Sequence, residues 1–125
     1  MEEYIVKMLN RILSALLAFN LVTTMAIVSM AQEPANTIEI HAHRFSFTPS
    51  EITLKKGETV KLRLISDDVA HSLVVPDLKI NAPMVKSHST EIIVTPDKTG
   101  DFKGECGKFC GSGHGSMTFT VHVKD

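Results

Sequence analysis

The segment Cys106-Gly-Lys-Phe-Cys110-Gly-Ser-Gly-His114-Gly-Ser-Met117 puts two thiols, an imidazole and a thioether on one short stretch of chain. Thiolate and thioether favour copper(I), and imidazole also accepts copper(II). The mixture therefore suits a metal that must hold both oxidation states in one geometry. Five of the chain's seven glycines, Gly104, Gly107, Gly111, Gly113 and Gly115, lie in or beside the segment. A loop so rich in glycine can wrap closely round an ion and bring backbone carbonyls near it.

Plainer chemistry competes at each position. Two cysteines in an exported chain commonly form a disulfide. Here the bridge would close a very small loop, which restricts the unfolded chain little, and it would leave His114 and Met117 without a role. Zinc accepts Cys and His, but a thioether is a poor zinc ligand. Met117 would then be core, which its phase with Phe119 and Val121 also allows. Haem attachment needs Cys-x-x-Cys-His, a motif the sequence lacks. Copper needs a further imidazole, and His71 is the candidate. It follows the polar loop Ser66-Asp67-Asp68-Val69-Ala70 and begins a strand, where a side chain is firmly held yet close to a loop. A structural histidine is the alternative there. His41, His43, His88 and His122 are expected to be solvated.

The elements that must hold these groups read as strands and turns. Ile38, Ile40 and Ala42 alternate, and Phe45 and Phe47 continue on the other parity, which suggests a bulge near His43 and Arg44. Pro49 ends that strand. Ile52 and Leu54 start another, before a turn at Lys55-Lys56-Gly57-Glu58. Val60, Leu62 and Leu64 face inward while Lys61 and Arg63 face out. Leu73 to Val75 is a short apolar run stopped by Pro76, and residues 77–88 look irregular. Thr90, Ile92 and Val94 alternate. Phe102, Gly104 and Cys106 share one parity, as do Met117, Phe119, Val121 and Val123. Short strands joined by Gly and Pro turns indicate an all-β fold, a small antiparallel β-sandwich or barrel.

The run Ile12 to Met30 carries no charge, follows Lys7 and Arg11, and closes on Ser29-Met30-Ala31. This is the layout of a secretory signal over residues 1–31. A single membrane anchor through residues 12–30 is the competing reading, weakened by Asn20, Thr23 and Thr24. Either way the rest of the chain is exported, into the periplasm or onto the outer face of the cytoplasmic membrane. A polar linker, residues 32–37, leads to one domain at 38–125. A net charge of −1 over 125 residues offers no basic surface for nucleic acid.

Over residues 38–124 the chain resembles the CuA-type cupredoxin domain of cytochrome c oxidase subunit II. The resemblance rests on Phe45-x-Phe47-x-Pro49, Lys56-Gly57, Ser66-x-Asp68-Val69-x-His71-Ser72, Gly100, and the spacing Cys-x-x-x-Cys-x-x-x-His-x-x-Met with a distant His before it. It implies a Greek-key cupredoxin-like fold and a centre of two coppers bridged by Cys106 and Cys110. His71 and His114 would each supply a nitrogen, and Met117 and the backbone carbonyl of Lys108 would be weak axial ligands. Such a domain is not catalytic alone. It takes electrons from cytochrome c or a small copper protein and passes them to subunit I of a haem-copper oxidase. The chain departs from the family in having at most one membrane helix, in Lys108 where many members carry Glu, and in having no Trp. A free periplasmic electron carrier or copper-handling protein, and a metal-free disulfide-linked β-domain, are the alternatives.

Overall fold

The computed structural model describes residues 1–23, 34 and 36–125. The chain divides into two units, Met1–Gln32 and Glu33–Asp125. In the first, α1 spans Glu2–Thr23, with Glu2 and Glu3 in its opening turn, where negative charge meets the positive end of the helix dipole. No helix among the described residues is long and apolar enough to cross a membrane. Residues 24–30 of the apolar run, and with them the Ser29-Met30-Ala31 close, lie outside the described residues.

Among the described residues, the second unit holds nine strands: β1 Asn36–His43, β2 Ser46–Thr48, β3 Glu51–Lys55, β4 Val60–Ser66, β5 His71–Val75, β6 Ile80–Met84, β7 Thr90–Val94, β8 Gly100–Cys106 and β9 Thr118–Lys124. They form two sheets, ordered β2-β1-β4-β7 and β3-β9-β8-β5-β6. The period-two patterns do the expected work. Val60, Leu62 and Leu64 are buried on β4, Phe102 and Cys106 on β8, and Met117, Phe119, Val121 and Val123 along β9 and the residue before it. Phe47 of one sheet meets Phe119 of the other edge to face, with ring centroids 5.6 Å apart, a favourable aromatic geometry. An all-β sandwich is therefore what these residues build.

Three expectations change. The sheets are mixed, because β1 runs parallel to β4 and β3 parallel to β9. Alternation marks which face of a strand is buried and carries no information on the direction of its neighbour. The stretch 77–88 is not irregular: a 3₁₀ turn at Pro76–Leu78 leads into β6, where Ile80, Ala82 and Met84 are buried. Pro83 hides this strand from a sequence reading, and it is tolerated because β6 is an edge. There is no bulge at His43 and Arg44. The chain reverses there and His43 pairs with Ser46 across the β1–β2 hairpin, so Phe45 and Phe47 change parity because the chain turns back.

Candidate metal centre

Two loops at one end of the sandwich bring the donors together. His71 opens β5, which pairs with β8 at Leu73↔Cys106 and Val74↔Glu105. That pairing sets the Cys106 side chain beside the His71 ring, with Sγ to Nδ1 at 3.8 Å. Cys106 ends β8, and its N–H donates to the Met117 carbonyl at 3.1 Å, so the 107–116 segment closes on itself as a loop. Within it His114 N–H donates to Gly111 O at 3.1 Å and Met117 N–H to His114 O at 3.2 Å. These short turns point His114 inward, with Nδ1 3.8 Å from Cys110 Sγ. The Met117 sulfur lies 4.0 Å from the same Sγ.

Glycine is required where the loop leaves the sheet. A methyl group on Gly104 would lie 2.8 Å from the Val74 carbonyl oxygen, and one on Gly107 would lie 2.9 Å from Ser72 Oγ. Both neighbours belong to β5, so the close approach that aligns Cys106 with His71 needs bare backbone on β8 and just beyond it.

The six groups singled out from the sequence thus converge. The ligating atoms of His71, Cys106 and Cys110 lie within 4.8 Å of one another, and all three residues are buried. Both cysteines are free thiols. The Lys108 carbonyl lies 3.1 Å from Cys106 Sγ, while the rest of that residue is exposed. A soft donor set buried at this spacing fits copper.

The surroundings prepare these atoms. His71 is fully buried, and its Nε2 donates to Asp68 Oδ1 at 2.8 Å. With the proton on Nε2, the Nδ1 lone pair is free to face the two sulfurs. Burial pushes the Asp68 carboxyl up, but the donors from His71, Arg44 and Val69 outweigh it and leave the group well below the usual carboxylate range. Burial pushes the Cys110 thiol up, and the neighbouring Cys106 adds to that, while Arg44 opposes it.

Asp68 is the residue whose role the sequence reading missed, although its spacing of three from His71 was visible. The other histidines stay out of the cluster, but they are not simply solvated. His41 sits between Asp67 and Glu39, and His122 between Asp101 and Glu51. His43 Nε2 lies 2.9 Å from the Ser46 hydroxyl. His88 is exposed.

The model of the cupredoxin-like domain matches residues 12–119. The chain belongs to the cupredoxin-like domain family. Among curated proteins, this cupredoxin-like chain is 40% identical over 70 residues to a probable cytochrome c oxidase subunit 2 of Streptomyces coelicolor, covering 56% of the chain and 22% of that protein. It is 27% identical over 89 residues to cytochrome c oxidase subunit 2 of Thermus thermophilus, covering 71% of the chain and 66% of that protein. The fold matches the periplasmic domain of subunit II of cytochrome oxidase from Bradyrhizobium japonicum, with a TM-score of 0.69 and 17% identity over 77% of this chain and 88% of that one.

Proposed function

We propose that the β-domain is an extracytoplasmic electron-transfer module holding a binuclear copper centre, equivalent to the domain by which cytochrome c oxidase subunit II receives electrons. One observation carries this reading. Each buried thiol has its own imidazole nitrogen at 3.8 Å, His71 for Cys106 and His114 for Cys110. A single-copper site needs one cysteine; two cysteine–histidine pairs facing each other supply two equivalent half-sites. Cys106 and Cys110 would bridge the metals, His71 and His114 would each bind one, and Met117 and the Lys108 carbonyl would lie on the axes. When bound, two coppers sharing thiolate bridges spread one electron over both metals, so gaining or losing it disturbs the ligands little.

The chain's own part is to keep those ligands still. Asp68 fixes the His71 ring, the β5–β8 pairing fixes Cys106, and the turns at Gly111–Met117 fix the rest. Phe109 is 77% exposed and its ring lies 5.7 Å from that of His114. It offers an apolar contact beside the site for a donor, either cytochrome c or a small copper protein. Subunit I of a haem-copper oxidase is the acceptor in this reading. Loading the reduced full chain with copper tests it. Two coppers per chain and a spin-resonance spectrum of one electron shared by two metals are expected. A single copper with a one-metal spectrum would falsify the bridged site.

A further inference from the structure

The turn between β1 and β2 reaches both halves of the candidate site, and the ligand set does not explain why. The Arg44 backbone N–H donates to Asp68 Oδ2 at 2.9 Å, and Asp68 Oδ1 accepts from His71 Nε2 at 2.8 Å. In the other direction, the Arg44 guanidinium donates from Nε to the Cys110 carbonyl at 3.0 Å. Next to it, Phe45 is half-buried against the core and packs on the glycines of the metal loop. A methyl group on Gly111 would lie 2.8 Å from Phe45 Cε1, and one on Gly113 would lie 2.5 Å from Phe45 Cγ.

These contacts answer a mechanical need. The β5–β8 register aligns only Leu73 with Cys106 and Val74 with Glu105. Cys110 lies four residues past the end of that ladder, on a glycine-rich loop with little stiffness of its own. Its distance from His71 therefore has to be set from elsewhere in the fold. We infer that Arg44 is a positioning residue, tying the His71 side of the site to the Cys110 side through one hydrogen-bonded strap, His71–Asp68–Arg44–Cys110, with Phe45 seating the glycine loop beneath it. All three links join an ionised group, Asp68 or Arg44, to its partner, the stronger class of hydrogen bond. Arg44 lies outside the ligand loop, yet the strap it completes sets the separation of the two half-sites. It also places a permanent positive charge at the Cys110 carbonyl, which favours the less positive, reduced state of a bound metal.

The test uses the full chain and four variants: Arg44→Met, Asp68→Ala, the two combined, and Arg44→Lys. Arg44 is exposed, so Arg44→Met should melt close to the wild type when copper-free. The copper-loaded single variants should each lose metal to a chelator about ten-fold faster, as expected for one charge-assisted hydrogen bond. The double variant should be no faster than the worse single one, because cutting either end slackens the whole strap. Rates that multiply in the double variant would mean independent contributions and would overturn the proposal. Arg44→Met should also lower the reduction potential, and Arg44→Lys, which keeps the charge and a donor, should restore it.

A metal-free measurement separates the strap from the copper reading, on which only the release rates and the potential rest. The Arg44 side chain bonds the Cys110 carbonyl, and its effect on the His71 ring runs through the backbone and Asp68. Arg44→Met should nevertheless shift the His71 ring resonances of the copper-free protein. Unchanged ring resonances sink the strap. A wild-type chain that takes up no copper sinks the binuclear site instead, and the ring resonances still decide the strap.

Discussion

The metal-loop end of the sandwich and the outer faces of its sheets both use histidine, and they use it in opposite ways. His71 is fully buried and has one carboxylate partner, Asp68, on one ring nitrogen. The second nitrogen is left facing two sulfurs, the placement a metal ligand would need. On the outer faces, His41 has Asp67 at 2.8 Å from Nδ1 and Glu39 at 3.0 Å from Nε2. His122 has Asp101 at 2.5 Å from Nδ1 and Glu51 at 3.3 Å from Nε2. A neutral imidazole has only one N–H, so serving two carboxylates calls for the protonated ring. One carboxylate with burial prepares a ligand, whereas two carboxylates with solvent prepare a cation.

The contrast breaks most completely at Cys106. A hydroxyl is hard and poorly ionised, so Cys106→Ser should abolish the shared-electron spectrum while His41 and His122 keep their pairings. A retained spectrum would remove the basis for the whole ligand assignment.

Gly104→Ala probes the backbone beneath the same end. The added methyl would lie 2.7 Å from Val75 Cγ2 as well as 2.8 Å from the Val74 carbonyl. Overpacking of this kind should cost about 1–3 kcal/mol, read by urea unfolding of the copper-free protein. Wild-type stability in this variant would mean that β5 and β8 are less closely apposed than described.

Met117→Leu keeps nearly the same volume on a residue that is 1% exposed. It should cost under about 1.5 kcal/mol, keep copper and move the reduction potential. A potential identical to the wild type would make Met117 a core residue alone.

The outer faces should respond to pH. Hydrogen bonds donated to Asp67 and Glu39 raise the His41 pKa, and those donated to Asp101 and Glu51 raise that of His122, above the ordinary 6.5. A raised folded-state pKa contributes stability that is fully present below pH 6.5 and is lost as pH climbs through the folded value. The melting temperature of the copper-free protein should therefore drift down above pH 6.5, by a small amount because these pairs are exposed. The double variant His41→Gln/His122→Gln should flatten the drift; an equal drift in that variant would assign it to other groups. The smallest effect belongs to Lys108→Ala, which should leave copper content and spectrum unchanged, since only the carbonyl faces Cys106.

Much of this was legible in the sequence because it depends on short-range order. Period-two burial named the inward residues of β4, β8 and β9, and the spacing from Cys106 to Met117 marked a donor loop between two strands. His71 was legible through its place after a polar loop at the start of a strand. Strand direction was not, because parallel pairing of β1 with β4 and β3 with β9 leaves the alternation unchanged. β6 was hidden by Pro83, whose tolerance depends on the strand being an edge, and sheet order decides that.

The sequence by itself determined which donors exist, that they are soft, and that their loop has the glycines to fold tightly. Only the tertiary structure decided that His71, 35 residues before Cys106, reaches its sulfur, and that Arg44, 66 residues before Cys110, reaches its carbonyl. Neither distance follows from spacing along the chain. Both come from two sheets stacking so that the β1–β2 turn, the loop before β5 and the loop after β8 meet at one end. That stacking is set by burial of side chains scattered over the whole domain.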